Sequence, residues 1–284
     1  MSTLLLAALL VSAQTKIAPK MQKGMKKTYV TELVISLPSK QPVTITSETL
    51  YEVTDATSDG YTLDIYISDV TTDAKDVENR IYSIATEMLK GIHTRYTTDK
   101  DGKVEKILDA EYVLKNMNGM LDKILSNVPL PESTTAEDLT KQLTGKQTEE
   151  SLLQSVQTSI SPLTLNGKTI STGMTEEYDT EQGIKMKRTY TVKDKSNIQT
   201  SSKIDMSTED IKKMMAGVLE KVMPDLSDNF METMGEMMKN FKIDASENAT
   251  YTLGKDGWIK SITAENSYNS MGVSVKMNTK VTLK

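Results

Sequence analysis

The sequence predicts an α+β fold: a large curved antiparallel sheet with amphipathic helices packed on one face. Long segments alternate apolar and polar residues with period two, and short Asp-Gly turns join several of them. Between these blocks, apolar residues recur at helical spacing.

The first block opens with Lys27–Ser36, read as a strand. Val43, Ile45, Thr49, Tyr51 and Val53 then fall near one face of a second strand. After the turn Ser58-Asp59-Gly60, Tyr61, Leu63, Ile65 and Ile67 alternate with polar neighbours and complete a hairpin. The period next becomes helical: Val77, Ile81, Ile84, Met88 and Ile92 share a stripe. Strands Thr94–Thr98 and Lys103–Leu108 flank the turn Lys100-Asp101-Gly102. Residues 110–126 return to helix, with Val113, Leu114, Met117, Leu121 and Ile124 on one side.

Pro129 and Pro131 interrupt the chain, and two short helices are expected beyond them. The first starts at Thr135 and the second at Thr148-x-x-Ser151, a capping pattern. Strand patterning resumes with Ile170, Thr172 and Met174, then a turn at Glu181-Gln182-Gly183. Ile184–Val192 and Ile198–Met206 read as the next strands. A long helical segment, Ser207–Phe241, separates them from Ala249–Leu253, the turn Lys255-Asp256-Gly257 and Ile259–Thr263. The last strand alternates Met271, Val273, Val275, Met277, Thr279, Val281 and Leu283.

YTTDKDGKVEKI, from Tyr96, and YTLGKDGWIKSI, from Tyr251, match at Tyr, Thr, Lys, Asp, Gly and the final Ile. Each follows an amphipathic helix that itself follows long strands. The halves therefore read either as a duplicated β-α-β unit or as a chance match of common Asp-Gly turns. The chain divides into 1–13, a signal peptide; 14–26, a flexible basic entry; 27–126, a first β-α-β half; 127–165, a helical connector; and 166–284, a second half.

The signal is read from Leu4–Val11, a short apolar run followed by Ser12-Ala13. The run is too short for a bilayer, which needs about 20 apolar residues. No Lys or Arg precedes it, so the true start is expected a few residues upstream; a buried terminal strand or helix is the alternative. Export to the periplasm or beyond follows, with no integral membrane segment expected later in the chain. A net charge of −5 with interspersed signs lacks the cationic footprint of a nucleic-acid binder. With no cysteine, disulfides and thiolate chemistry are excluded.

No catalytic constellation stands out, and no cofactor is expected. His93 is the single histidine and reads as a surface or capping residue. Asp99-Lys100-Asp101-Gly102 resembles part of a calcium loop, but Thr97 and Leu108 occupy ligand positions, so a β-turn is expected. Asp55, Asp59, Asp64 and Asp69 are the acids from which a hydrolase would need a pair at fixed separation.

The segment Ser207–Phe241 is the most informative. Eight of the 18 methionines lie between 206 and 238. Methionine is flexible and polarisable and recurs on surfaces that accommodate varied apolar partners. One reading makes the segment a pliable wall over an apolar ligand, with Met214, Val218, Met223, Met231, Met234 and Met238 lining the site. The other makes it an ordinary core helix with methionine as filler.

The leader LLLAALLVSAQ, the hairpin segments DKDGKVEKI and GKDGWIKSI, and the central SISPLTLNGK resemble exported β-rich proteins of Bacteroidetes-type bacteria. That resemblance implies a cell-envelope location. The overall pattern is more distantly similar to the periplasmic lipoprotein-carrier fold, whose half-barrel cradles acyl chains. The reading that results is a non-catalytic envelope protein binding a lipid or apolar segment, of unassigned oligomeric state. A structural or interaction module is the alternative, and a carboxylate-pair hydrolase the second.

Overall fold

The computed structural model describes residues 14–74, 80–127, 135–137, 140–141, 148–180, 184–207, 209–210, 243–270 and 273–284. Its strands are β1 (Thr15–Lys16), β2 (Lys26–Ser36), β3 (Val43–Ala56), β4 (Gly60–Thr72), β5 (His93–Asp99), β6 (Val104–Ile107), β7 (Thr169–Ile170), β8 (Thr175–Asp179), β9 (Lys185–Val192), β10 (Asn197–Ile204), β11 (Ile243–Leu253), β12 (Ile259–Ser270) and β13 (Val273–Leu283). Helices α1 (Arg80–Leu89), α2 (Ala110–Leu125) and α3 (Glu149–Thr158) are seen among the described residues.

One open, wholly antiparallel sheet holds 11 strands in the order β6-β5-β4-β3-β2-β13-β12-β11-β10-β9-β8. The fold is thus α+β, as the periodicity predicts. The last strand, β13, inserts between β2 and β12 and joins the two blocks into a single sheet. Helix α1 packs on β4, α3 packs on β6, and α2 touches both helices.

Strand alternation sends every second side chain to the helical side. Tyr29, Tyr51, Val53, Leu63, Tyr190, Ile198, Tyr251, Ile262 and Val281 lie on this inner face and are buried. Tyr29 and Tyr51 meet edge to face at 5.2 Å, and the Tyr29 hydroxyl donates to the Ile259 carbonyl at 2.7 Å. A buried phenol needs such an acceptor, because an unpaired one would forfeit its hydration.

Helix α3 begins where the sequence indicates. Thr148 Oγ1 accepts from Ser151 N at 3.2 Å, and Ser151 Oγ accepts from Thr148 N at 2.8 Å, a reciprocal capping box. Three expectations need correction. Residues 14–26, expected as a flexible entry, form a packed strap: β1 pairs with β7, and Ile17 and Met21 are buried. Its apolar residues Ile17, Met21 and Met25 are separated by lysines, Pro19 and a glycine, which masks the burial in the sequence. The Ile170–Met174 strand is broken, because Gly173 at φ 86° turns the chain between β7 and β8. Strands β11 and β12 extend well past the apolar stretches Ala249–Leu253 and Ile259–Thr263. Their added length carries scattered apolar residues, such as Ala245, Ala264 and Tyr268 on the inner phase, among polar ones, and is paired throughout by ladder hydrogen bonds.

Candidate functional site

The inner face is not filled uniformly. At the hairpin end it is closed by the strap, by residues 163–170 and by Trp258, all in one core cluster. At the opposite end, toward α3, a cleft of about 310 Å³ remains. Tyr178, Met186, Ala245, Tyr268 and Met277 supply its apolar lining. The register explains the grouping: Met186 faces Tyr178 on β8, Tyr268 faces Ala245, and Met277 faces Asn266. Such a volume lies near the lower bound for small-molecule pockets, roughly 300–1,000 Å³.

One wall of the cleft is polar, and its Thr158, Tyr178 and Glu247 are held from behind by Arg188. Arg188 is fully buried on β9, on the same phase as Met186 and Tyr190. Its Nη2 donates to Glu247 Oε1 at 3.0 Å, to the Thr158 carbonyl at 2.7 Å and to the Tyr178 hydroxyl at 3.3 Å. Its Nε donates to Ser202 Oγ at 3.2 Å, and its guanidinium lies 4.7 Å from the centre of the Tyr178 ring. Beside it, Lys168 Nζ donates to both Glu176 oxygens at 2.8 Å and to the Tyr190 hydroxyl at 3.1 Å, while that hydroxyl donates to Glu176 Oε2.

Burial sets the electrostatics of this group. It pushes the Lys168 ammonium below its ordinary value, against the pull of Glu176. Burial also raises the Glu176 carboxyl, but hydrogen bonds from Lys168 and Tyr190 outweigh it and hold the group below the ordinary glutamate value. Burial, reinforced by Glu176, pushes the Tyr190 phenol up. The network ties the end of α3 and residue 168 to the sheet. Glu247 and Asn266, which line the cleft, give it a hydrogen-bonding wall. Asn266 Oδ1 is buried there without a hydrogen-bond partner among the described residues.

The six residues predicted to line the site, Met214, Val218, Met223, Met231, Met234 and Met238, lie outside the described residues. Of the flanking described strands, β10 ends at Ile204 and β11 begins at Ile243, two residues before the cleft-lining Ala245. The polar wall was missed from sequence. Its one signal was Arg188, a charge on the apolar phase of β9.

Three of the acids considered for catalysis are each engaged by a different cation or imidazole. Asp55 pairs with Lys23 at 3.2 Å, Asp69 with Lys90 at 2.8 Å, and Asp64 with His93 at 2.5 Å. Hydrogen bonds from Lys23 and Lys90 hold Asp55 and Asp69 below their ordinary values. His93 is exposed and meets Tyr66 edge to face. Asp99 Oδ1 accepts from the Asp101 and Lys103 amides at 2.8 and 2.9 Å, so this loop is a β-turn closed by its own aspartate. Among the described residues, no group of three or more His, Asp or Glu could hold a metal ion, and no helix is long and apolar enough to cross a membrane.

A larger groove, about 590 Å³, lies over the opposite face of β9–β13. Thr191, Gln199, Ser201, Asn248, Thr250 and Asn278 give it a polar lining.

No family model and no curated protein matches the chain. Among solved structures, one of lipovitellin, concerned with lipid–protein interactions, is similar over 93% of this chain at 13% identity, with a TM-score of 0.39. The chain spans 25% of the length of that protein. A porin-like protein from Bacteroides uniformis is similar over 90% of this chain and 95% of its own, at 10% identity and a TM-score of 0.20.

Proposed function

We propose that the chain is an exported, non-catalytic binding protein of the cell envelope that holds a lipid or other apolar molecule on the inner face of its sheet. The carrying observation is the cleft of about 310 Å³ walled by Tyr178, Met186, Ala245, Tyr268 and Met277. Apolar side chains left beside open space at one end of a sheet gain free energy when a guest displaces water from them. Strand β10 ends at Ile204 and β11 begins at Ile243 on this side, and methionine, frequent in the sequence between them, adapts to guests of varied shape.

The test is organic-solvent extraction of the purified full chain followed by mass spectrometry. A stoichiometric lipid is expected, and Ala245→Trp, which fills the cleft, abolishes it. Absence of bound lipid, together with no uptake of a fluorescent acyl probe, overturns the reading. The polar groove on the outer face favours a second reading, an interaction module that engages a hydrogen-bonding partner through that face.

A further inference from the structure

A separate cleft lies at the hairpin end of the sheet, remote from the apolar one. Its volume is about 200 Å³, and it is lined by the strap and by the β11–β12 turn, with Lys195 contributed from the β9–β10 turn. Backbone hydrogen bonds fix these segments to one another. The Lys20 amide donates to the Asp256 carbonyl at 2.8 Å, and the Leu253 amide donates to the Ser196 carbonyl at 2.7 Å. Lys20, Lys195 and Lys255 therefore stand on three segments that cannot drift apart without breaking the sheet end.

The acids that could neutralise them are engaged elsewhere. Asp256 Oδ2 accepts from Lys27 Nζ at 2.7 Å, and its Oδ1 accepts from the Trp258 amide at 3.2 Å. Asp194 Oδ1 accepts from the Ser196 and Asn197 amides at 2.7 and 3.0 Å, and its Oδ2 from Asn197 Nδ2 at 2.9 Å. Lys16, also at the cleft, is paired with Asp101 at 2.8 Å. Lys20, Lys195 and Lys255 have no acidic partner among the described residues. Like charges gathered in one concavity repel, and a polyvalent anion relieves that repulsion. The contrast with the whole chain, whose net charge is −5, makes the local excess a feature of the fold rather than of composition.

We infer that this cleft is a binding site for a phosphate-type oxyanion, free or carried on a larger molecule, held by Lys20, Lys195 and Lys255. Three ammonium point charges suit a doubly charged, three-oxygen group better than a single carboxylate. The site is independent of the apolar cleft and of its proposed guest.

The experiment is calorimetric titration of the full chain with inorganic phosphate at low and high sodium chloride. The emission of Trp258, whose indole Nε1 donates to the Lys20 carbonyl at 3.0 Å, is followed in parallel. Saturable binding that weakens with salt is expected. The triple variant Lys20→Gln, Lys195→Gln, Lys255→Gln loses roughly tenfold or more in affinity. A control of equal charge change on outward-facing strand positions, Lys185→Gln, Lys203→Gln, Lys276→Gln, keeps wild-type affinity. Absence of binding, or equal loss in both variants, overturns the inference. Vesicles of phosphatidylcholine with and without phosphatidic acid identify the source. Capture that requires phosphatidic acid and the three lysines supports a lipid headgroup, and phosphate binding without capture supports a soluble phosphate compound.

Discussion

In the hairpin β5–β6, Tyr96 faces Ile107, Thr97 faces Lys106 and Thr98 faces Val104, with a register shift between Thr97 and Thr98. In β11–β12, Tyr251 faces Ile262, Thr252 faces Ser261 and Leu253 faces Ile259, with the shift at the equivalent step. Both turns place a glycine in the left-handed region, Gly102 at φ 83° and Gly257 at φ 80°. Both grip the strap: Asp101 pairs with Lys16 at 2.8 Å, and the Asp256 carbonyl accepts from the Lys20 amide at 2.8 Å. The residue after the glycine separates them. It is exposed Lys103 in one turn and buried Trp258 in the other. A repeated local motif thus yields one backbone, while its neighbours decide whether that backbone forms a surface turn or an anchor of the core.

The largest expected contrast is at that position. Trp258→Ala should cost about 3–5 kcal/mol, because it empties a core site and strands the Lys20 carbonyl. Lys103→Ala should change stability by less than about 0.5 kcal/mol. Urea unfolding of both variants measures the difference, and equal losses would break the distinction between anchor and surface turn.

The glycines should differ less. A Cβ at Gly257 would lie 2.8 Å from the Ala18 carbonyl oxygen and 3.0 Å from Pro19 Cα, both backbone atoms. At Gly102 it would meet the Met21 and Pro19 side chains at 3.0 Å, and Met21 can yield. Gly257→Ala is therefore predicted to cost about 2–3 kcal/mol and Gly102→Ala about 1 kcal/mol. Thermal unfolding that ranks them in reverse would show that the strap yields at its backbone.

The smallest effect concerns acid. Burial raises the Asp256 carboxyl, but the hydrogen bond and charge of Lys27 outweigh it, so the group sits below its ordinary value of 3.8. A depressed folded value means that this contribution is present above the unfolded value and is lost as pH falls through the folded one. Between about pH 5 and pH 2, the wild type should therefore lose more in melting temperature than Asp256→Asn does. Parallel curves for the two proteins would remove Asp256 from the account.

Much of the fold was legible along the chain. Period-two alternation located the strands, helical stripes located α1 and α2, and Thr148 with Ser151 located the start of α3. These signals are local, because one buried face imposes its own period on the segment that supplies it. The strap escaped notice because Ile17 and Met21 are buried in a core cluster with residues of other segments, among them Val104, Leu165, Ile170 and Trp258, and such partners leave no period in the strap itself. The apolar cleft and its polar wall were legible only as a charge out of phase at Arg188.

By itself the sequence determined the α+β class, the order of the long strands and their turns, and the absence of cysteine chemistry. Those follow from composition and from side-chain periodicity, which each segment carries without its neighbours. Tertiary structure alone decided that β13 would close the two blocks into one sheet. It also decided that Arg188 would find Glu247, and that Lys20, Lys195 and Lys255 would share one cleft. Each of these depends on strand order and register, which bring together residues that no local pattern relates.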